Sequence, residues 1–405
     1  MKIALVAQHA TPQAASPAAD DLMLAGLTRG LADAGHDVTV YTQAGTAPAG
    51  TRRARARKAP EESQPRARVR TEPIGPAVGR SEQELLAGVG GFADALRKRL
   101  EDDRPDVLHA VRWTSGLAAL AASRGIHVPL VQSFVSLSVA EHRQRVLTPN
   151  ASPQRARLEP AIGRNCSAVI AASAQEQADL TRIGVPRRSS TIIPWGVDTT
   201  EFTPDGLAAR RSGRPRMITL TDLDAYDEIK LLFRVLARVP DAELVVVGGA
   251  AHDRLADDPA HRKLAAEAHA LGVADRVIFT GGVRRDALPP LLRSADLLVS
   301  AAEYEPTGAV AVEAMACGTP VAAFATGGQA DAVIDGTTGI LIQPGRPAQF
   351  AQRLRQLLAS PMQLSACSVA AADRAQSRYS WDRIARETAE LYDLVVASAA
   401  GPLAA

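Results

Sequence analysis

The sequence predicts an α/β protein made of two doubly wound, Rossmann-like domains. One observation is the length, since 405 residues exceed what a single hydrophobic core usually supports. A second is the recurrence of short Val- and Ile-rich runs between longer segments of helical period, which is typical of βαβ units and a parallel sheet. A third is the Pro-, Gly- and Arg-rich stretch Pro204–Arg216, which we interpret as the linker between the domains.

The elements of the first domain follow from these runs in chain order. The first crossover is predicted as a strand at Ile3–Ala7, a helix from about Asp21 to Ala34 that Gly35 ends, and a strand at Val38–Tyr41. Further strands are predicted at Val107–Ala110, Leu130–Gln132 and Val169–Ala171. Between them, Thr51–Arg70 crowds arginines and prolines together without periodicity, which predicts a solvated surface loop rather than a patch for anionic membranes.

The second domain repeats the pattern after the linker. Its strands are predicted at Met217–Leu220, Leu244–Val247, Val277–Phe279, Leu297–Ser300 and Val321–Phe324, and an amphipathic helix is predicted at about Trp381–Val396. The domains then comprise residues 1–203 and 204–379. Ligands of doubly wound sheets bind beyond the carboxyl ends of the strands, and two facing sheets leave a cleft, so we expect the chemistry in an interdomain cleft.

Composition excludes several classes of partner and site. A formal net charge of +2 gives no global attraction to nucleic acid. The opening apolar run reaches polar residues too early for a signal peptide or a membrane span. The three cysteines lie far apart, without the Cys/His spacing of a zinc site. We therefore expect a cytoplasmic protein without a transmembrane segment, in which the cysteines are packing residues.

The stretch Ser300–Gly339 carries the most specific functional signal. It reads SAAEYEPTGAVAVEAMACGTPVAAFATGGQADAVIDGTTG. Pro306, Thr307 and Gly308 lie at the predicted start of a helix, whose free backbone N–H groups and positive dipole end favour a phosphate, and Gly308 would let the backbone approach an anion closely. Glu313 lies about one turn into that helix, where its carboxylate can accept two hydroxyl hydrogen bonds, as a ribose would offer.

This stretch resembles the donor-site signature of retaining, nucleotide-sugar-dependent glycosyltransferases of family 4. The resemblance is carried by Glu305, seven intervening residues, Glu313, the run CGTPV, and the pair Gly327 and Gly328. Either glutamate alone would be read as an exposed charge, but about 40 matching residues favour the functional interpretation. The likeness covers nearly the whole chain and is strongest to the subgroup of sucrose-phosphate synthase and the mycothiol-pathway N-acetylglucosaminyl transferase. It includes HATP at 9–12, ADAGHDVTVYT at 32–42, PDVLHAVRW at 105–113, VQSFVSL at 131–137, IIPWGVDTTEFTP at 192–204 and the run from Asp275 to Pro306.

The resemblance implies the GT-B fold, with residues 1–203 on the acceptor side, 204–379 binding the donor, and a helix within 380–405 crossing back onto the first domain. It also implies that Glu305 is the catalytic contact to hydroxyls of the donor sugar and that Glu313 binds the ribose. The remaining donor-binding residues implied are Thr307, Gly308 and Ala309, with the nucleotide base near Gly282, Val283 and Arg284. The co-substrate is then a nucleotide diphosphate sugar.

The chain departs from the family where two cations usually grip the donor diphosphate. Asp222 and Asp227 stand at the positions of an Arg after the first strand of the second domain and a Lys five residues on. A charge pair at about 5 Å is worth roughly 3 kcal/mol at an effective dielectric of ~20, so two sign changes would abolish micromolar affinity without compensation. Compensation is predicted from Lys230, Arg284 or Arg285. The alternative is a divalent cation held by Asp222, Asp224 and Asp227.

The first domain departs in a similar way. A Gly-Gly pair that approaches the donor phosphates in the family appears as Ala18 and Ala19, and the second His of a His-x-His motif is Val111. The His of the acceptor-side motif is Val135. His109 keeps its place and is, with Val135, an acceptor-side candidate, although a lone histidine at a strand end is more often a packing residue.

Two functions from different classes fit these residues. The first is an active glycosyltransferase that moves a sugar from a nucleotide diphosphate sugar to an acceptor hydroxyl, with retention and without a covalent intermediate. The alternative is a pseudo-glycosyltransferase that keeps the fold as a partner or sensor. A sugar-phosphate phosphorylase is a third, more distant possibility. The partners expected are the sugar nucleotide and the acceptor, and the sequence does not predict an oligomeric state.

Overall fold

The computed structural model describes residues 1–10, 19–45, 69–79, 81–143 and 152–400. The described chain separates into two compact units. Unit 1 comprises Met1–Ala172, Glu176–Ile193 and Ile384–Ala405, and unit 2 comprises Ser173–Gln175 and Pro194–Arg383. Residues 51–68 of the predicted surface loop, and Ala18, lie outside the described residues; Val69 and Arg70 begin a strand.

Unit 1 contains a seven-stranded parallel sheet. Its elements are β1 (Lys2–Val6), α1 (Ala19–Asp33), β2 (Asp37–Gly45), β3 (Val69–Val78), α2 (Glu82–Asp103), β4 (Val107–Val111), α3 (Trp113–Ala122), β5 (Leu130–Ser133), α4 (Ser138–Arg143), α5 (Arg155–Asn165), β6 (Ala168–Ala171), α6 (Ala174–Arg182) and β7 (Ser190–Ile192). The strand order is β3-β2-β1-β4-β5-β6-β7. The order reverses at β1, which pairs with β2 on one side and β4 on the other, so ligands are expected beyond the carboxyl ends of β1 and β4.

Unit 2 contains a six-stranded parallel sheet. Its elements are β8 (Arg216–Leu220), α7 (Tyr226–Leu236), β9 (Glu243–Ala251), α8 (Pro259–Ala270), β10 (Val277–Gly282), α9 (Leu288–Arg293), β11 (Leu297–Ser300), α10 (Ala309–Ala316), β12 (Val321–Phe324), α11 (Gly327–Ala332), β13 (Gly339–Ile342), α12 (Pro347–Leu358) and α13 (Pro361–Tyr379). The order β10-β9-β8-β11-β12-β13 reverses at β8, so the corresponding position lies beyond the carboxyl ends of β8 and β11.

The central strands form because their side chains are apolar on both faces. In β4 all five residues are buried, and in β12 all four are, which is the burial of a parallel sheet covered by helices on both faces. Helices contribute single apolar stripes, as in α7, where Ile229, Leu232, Phe233 and Leu236 are buried. These contacts confirm the predicted pair of doubly wound α/β sheets and place every predicted strand in one of them.

Three strands were not predicted, and all lie at sheet edges. β3 contains two prolines and a glycine, which edge positions tolerate because one side of the strand needs no ladder partner. β7 and β13 have only three and four residues. β3 and β7 are mostly exposed or partly buried and so lack the apolar run of the centre, whereas β13 reads GILI and is mostly buried but very short.

The last helix, α14 (Trp381–Ala400), belongs to unit 1 from Ile384 onward. Its Tyr392 is fully buried and bonds to His109 of β4, with 2.7 Å between the tyrosine oxygen and Nδ1. The helix predicted at Trp381–Val396 therefore packs on the first sheet. No helix in the described ranges combines the length and the apolar character that a membrane crossing requires.

Candidate functional site

The start of α10 is built from two backbone segments in direct contact. Gly308 precedes the helix with φ +70°, and a Cβ added there would lie 2.5 Å from the carbonyl carbon of Gly328. A Cβ on Gly328 would lie 2.2 Å from the carbonyl carbon of Thr307, and one on Gly327 would lie 1.8 Å from the oxygen of Glu305. The space that a Cβ on Gly308 would need is occupied by protein backbone, so the packing of the two segments by itself requires a glycine at this position.

Glu305 organises this segment through one of its carboxylate oxygens. Oε1 accepts hydrogen bonds from the Gly308 amide at 2.9 Å, from the Thr307 amide at 3.3 Å and from the Thr307 hydroxyl at 3.1 Å. The two amides predicted to meet a phosphate are therefore already bonded. The amide of Ala309 makes a long bond of 3.4 Å to Thr307 Oγ1, and Val310 is the second helical residue, whose N–H has no acceptor within the helix.

Glu313 projects from the second turn of α10 and forms an ion pair. Its Oε1 lies 2.6 Å from Nη1 of Arg285, and the guanidinium of Arg285 stacks on the ring of Phe202 with 4.4 Å to the ring centroid. Burial raises the pKa of the Glu313 carboxyl, and Arg285 opposes the rise. Sequence analysis proposed Arg285 as a compensating cation for a diphosphate, but in the structure Arg285 is paired with Glu313, the predicted ribose-binding residue.

The loop after β8 holds the aspartates that replace the expected cations. Asp222 is exposed, and its Oδ1 accepts the amide of Asp224 at 3.2 Å, which is an ordinary turn contact. Asp227 is also exposed and lies in the first turn of α7, where an acidic side chain is favoured by the helix dipole. Their local contacts are those of solvated structural residues.

The other two proposed compensating cations are engaged elsewhere. Lys230 Nζ lies 2.8 Å from Oε1 of Glu267, and Arg284 is 85% exposed and pairs with Asp286 at 2.8 Å. In the described conformation each of these two cations already has a carboxylate partner. Gly282, at the end of β10, is exposed and Val283 is partly buried.

The aspartate route to a metal ion finds no support in the geometry. Among the described residues, one group of three carboxylates or histidines has ligand atoms within 4.8 Å of one another, and it consists of His9, Asp20 and Asp21 in unit 1. Asp222, Asp224 and Asp227 do not form such a group. We therefore withdraw the prediction of a cation held by these three residues.

Sequence analysis missed Glu228, a carboxyl at the carboxyl ends of β8 and β11. Its Oε1 accepts the amide of Ala301 at 3.3 Å and its Oε2 accepts the hydroxyl of Thr221 at 3.4 Å. Burial raises the pKa of Glu228 to about 7, and the nearby charge of Glu305 adds to the rise. Glu228 follows Asp227 directly and flanks the buried stripe of α7, so its sequence position alone suggests an ordinary helix residue.

In unit 1, His109 is closed off from ligands. It is 1% exposed, and its ring nitrogens lie 2.7 Å from the Tyr392 oxygen and 2.9 Å from Ser133 Oγ. Burial lowers the pKa of His109 to about 4, so the ring is neutral at ordinary pH. The prediction that His109 contacts the acceptor is therefore corrected: its place is in the packing of β4 against β5 and α14.

A polar cluster that sequence analysis missed occupies the switch point of unit 1. Arg112 follows β4 with φ +69°, an uncommon conformation for a residue with a side chain, and its Nε lies 2.5 Å from Oδ2 of Asp20. Asp20 is 3% exposed and lies 2.9 Å from His9 Nε2, whereas the side chain of Arg112 is 44% exposed. Burial raises the pKa of Asp20, but His9 and Arg112 outweigh it and hold that pKa well below its usual range.

Three further first-domain departures are seen locally. Val135 lies after β5 with φ +73° and is partly buried, which is a strained conformation for a β-branched residue. Ala19 is the first residue of α1. Val111, which replaces the second histidine, is buried in β4, so this position contributes apolar packing to the sheet.

Comparisons with known proteins agree over both units. The family described as "Glycosyl transferases group 1" matches residues 208–374, and "Glycosyl transferase 4-like domain" matches residues 23–196. D-inositol 3-phosphate glycosyltransferase 2 of Catenulispora acidiphila is 31% identical over 416 residues, covering 96% of this chain and 94% of that protein. D-inositol 3-phosphate glycosyltransferase of Streptomyces scabiei is 33% identical over 350 residues, covering 80% of this chain and 76% of that protein.

Solved structures give the same result. Sucrose-phosphate synthase from Thermosynechococcus elongatus superposes with a TM-score of 0.80 at 26% identity, covering 98% of this chain and 99% of that chain. The Anabaena protein HepE in complex with UDP-glucose superposes with a TM-score of 0.70 at 21% identity, covering 97% and 100%. At that identity the second likeness concerns the fold alone.

Proposed function

We propose that this chain transfers a sugar, with retention, to a phosphorylated polyol. The chain belongs to glycosyltransferase family 4, has the predicted GT-B fold and uses a nucleotide sugar as donor. The relatives compared are named as glycosyltransferases, so they lend no support to the alternative of a catalytically inactive partner or sensor. The donor and acceptor chemistry below follows from this premise.

The observation that supports the donor site is the placement of Glu305 and Glu313 around the start of α10. Both side chains are partly exposed, and each uses Oε1 for its protein contacts. Their Oε2 atoms accept no hydrogen bond from the described residues, so hydroxyls of the sugar and the ribose have acceptors to bond. The N–H groups of Ala309 and Val310, together with the helix dipole, favour the diphosphate.

In the proposed reaction one bond to the anomeric carbon of the donor sugar forms and one breaks. The acceptor hydroxyl oxygen bonds to that carbon on the face from which the diphosphate leaves, the carbon–phosphate oxygen bond breaks, and the hydroxyl proton passes to a diphosphate oxygen. Catalysis then consists of orientation and of charge stabilisation at the leaving group. Glu305 orients the sugar, and no covalent bond to the protein forms.

The acceptor class is proposed from the relatives and from Arg112. The relatives are named for D-inositol 3-phosphate, a polyol that carries a phosphate. Arg112 presents a guanidinium at the carboxyl edge of the unit 1 sheet, held through Nε by buried Asp20, which leaves its terminal nitrogens for an anion. Such pre-oriented guanidinium groups suit the bidentate recognition of phosphate.

The test uses purified protein, UDP-N-acetylglucosamine or UDP-glucose, and D-inositol 3-phosphate. NMR of the product is expected to show the anomeric configuration of the donor. Arg112→Gln is expected to raise KM for the acceptor about 10-fold with a smaller effect on kcat, since one charge-assisted contact is worth about 1.5–3 kcal/mol. Arg124→Gln, at the exposed end of the same α3 region, is the matched control. An inverted product, or equal KM in the two variants, would contradict the proposal.

A further inference from the structure

Glu228 lies at the proposed donor site but has no part in the mechanism above. It is the third residue of α7 and is partly exposed, so a ligand at the carboxyl ends of β8 and β11 can reach it. Its two protein contacts are long, at 3.3 Å to the Ala301 amide and 3.4 Å to the Thr221 hydroxyl. Hydrogen bonds of this length hold a carboxyl weakly, so it can exchange them for a ligand.

The charges around Glu228 are negative. Glu305, in the segment after β11, is the charged group of the described chain that acts on it from a neighbouring element. On its own element, Asp227 is exposed, and the loop before α7 contributes Asp222 and Asp224, both exposed. The cation nearest in sequence, Lys230, is bonded to Glu267, and Arg285 at the proposed donor site is bonded to Glu313.

If Glu228 were ionised, a diphosphate bound at the carboxyl ends of β8 and β11 would lie near an additional negative charge. Protonation removes that charge and converts the carboxylate, an acceptor only, into an O–H donor. An O–H bonded to an anionic oxygen is among the stronger hydrogen bonds available to a protein. The same proton also relieves the repulsion between Glu228 and Glu305.

We propose that Glu228 is a positioning residue of the donor site that binds the diphosphate of the nucleotide sugar in its protonated form, donating a hydrogen bond to a phosphate oxygen. The inference rests on the proposed donor site of unit 2. The protonated carboxyl of Glu228 supplies part of the diphosphate binding that two fixed cations supply elsewhere in the family. Burial raises the pKa of Glu228 to about 7, which puts the required proton within the ordinary working range.

The test is calorimetric titration of UDP-glucose between about pH 6 and pH 8.5. This probe is chosen because each of its phosphates has already lost its only proton, whereas the terminal phosphate of UDP titrates near pH 6 itself. The association constant of the wild-type protein is expected to fall roughly 30-fold across this range, approaching ~10-fold per pH unit above pH 7. Glu228→Gln, whose amide keeps an N–H donor, is expected to bind as at low pH and to lose the pH dependence.

The matched control is Glu176→Gln in unit 1, which removes another carboxyl whose pKa burial raises to about 7 and is expected to keep the wild-type slope. A flat wild-type profile, or a Glu228→Gln profile with the wild-type slope, would overturn the assignment. Glu228→Ala, which has no donor, is expected to bind weakly at every pH; affinity equal to that of Glu228→Gln would also overturn it. Absence of binding at every pH would instead refute the proposed donor site.

Discussion

Glu176 and Glu228, one in each unit, occupy the same position in their helices but have different surroundings. Each is the third residue of a helix that follows a parallel strand, and burial raises the pKa of each to about 7. Glu176 is 5% exposed and accepts the Ala172 amide at 2.6 Å, whereas Glu228 is partly exposed and lies near Glu305. The comparison teaches that burial at the start of a helix can raise the pKa of a carboxyl in either unit, while exposure decides whether stability or ligand binding reports its titration.

Glu159, whose charge acts on Glu176, is paired with a buried cation, and removal of that cation is the largest expected break in the comparison. Arg155 is 5% exposed and pairs with Glu159 at 2.6 Å and Glu141 at 3.0 Å. Arg155→Ala is expected to lower the free energy of unfolding by about 3–5 kcal/mol, because it leaves buried carboxylates without a cation. Urea unfolding followed by circular dichroism measures this change.

The control for that change is Arg182→Ala. Arg182 also pairs with an acidic residue, Asp179, but its side chain is 56% exposed. Asp179 itself is buried, but Arg143 bonds to both of its oxygens, so loss of the exposed Arg182 leaves it paired and this variant is expected to unfold within about 1 kcal/mol of wild type. Equal losses in the two variants would show that burial does not separate these ion pairs.

Glu176→Gln sharpens the comparison through the pH dependence of stability. A carboxyl whose pKa is raised from 4.5 to about 7 in the folded state binds more protons folded than unfolded between those values. Wild-type stability is therefore expected to fall as pH rises from about 4.5 to 7, by roughly 3 kcal/mol for this fully buried group. Glu176→Gln is expected to flatten that fall, measured by urea unfolding at pH 5 and pH 8; an unchanged slope would assign the titration to another group.

Much of the fold could be predicted from the sequence because the signals are local. Runs such as Leu244–Val247 can satisfy burial on both faces only inside a parallel sheet, so the central strands were recognisable. The start of α10 was recognisable for the same reason, since Gly308 and the residues after it carry the motif within a few positions.

The contacts that decide the candidate site are not local, and they escaped prediction. Arg285 forms an ion pair with Glu313 and stacks on Phe202, which precedes it by 83 residues in the chain. Tyr392, 283 residues further along the chain, is hydrogen-bonded to one ring nitrogen of His109. Glu228 is held by the amide of Ala301, on a different strand segment. A sequence pattern specifies which residues are available, but tertiary packing decides which of them keep a free polar atom.

The most direct test of the account is whether the start of α10 binds a sugar nucleotide through Glu313. Titration calorimetry at about pH 6.5 with UDP-, GDP- and ADP-glucose would compare wild type, Glu313→Gln and Glu303→Gln, the last being an exposed glutamate on the segment before the helix. The account predicts that wild type binds one donor with roughly micromolar Kd, that Glu313→Gln weakens binding about 10-fold or more, and that Glu303→Gln leaves it within about twofold. No binding by wild type, or equal affinity of wild type and Glu313→Gln, would contradict it.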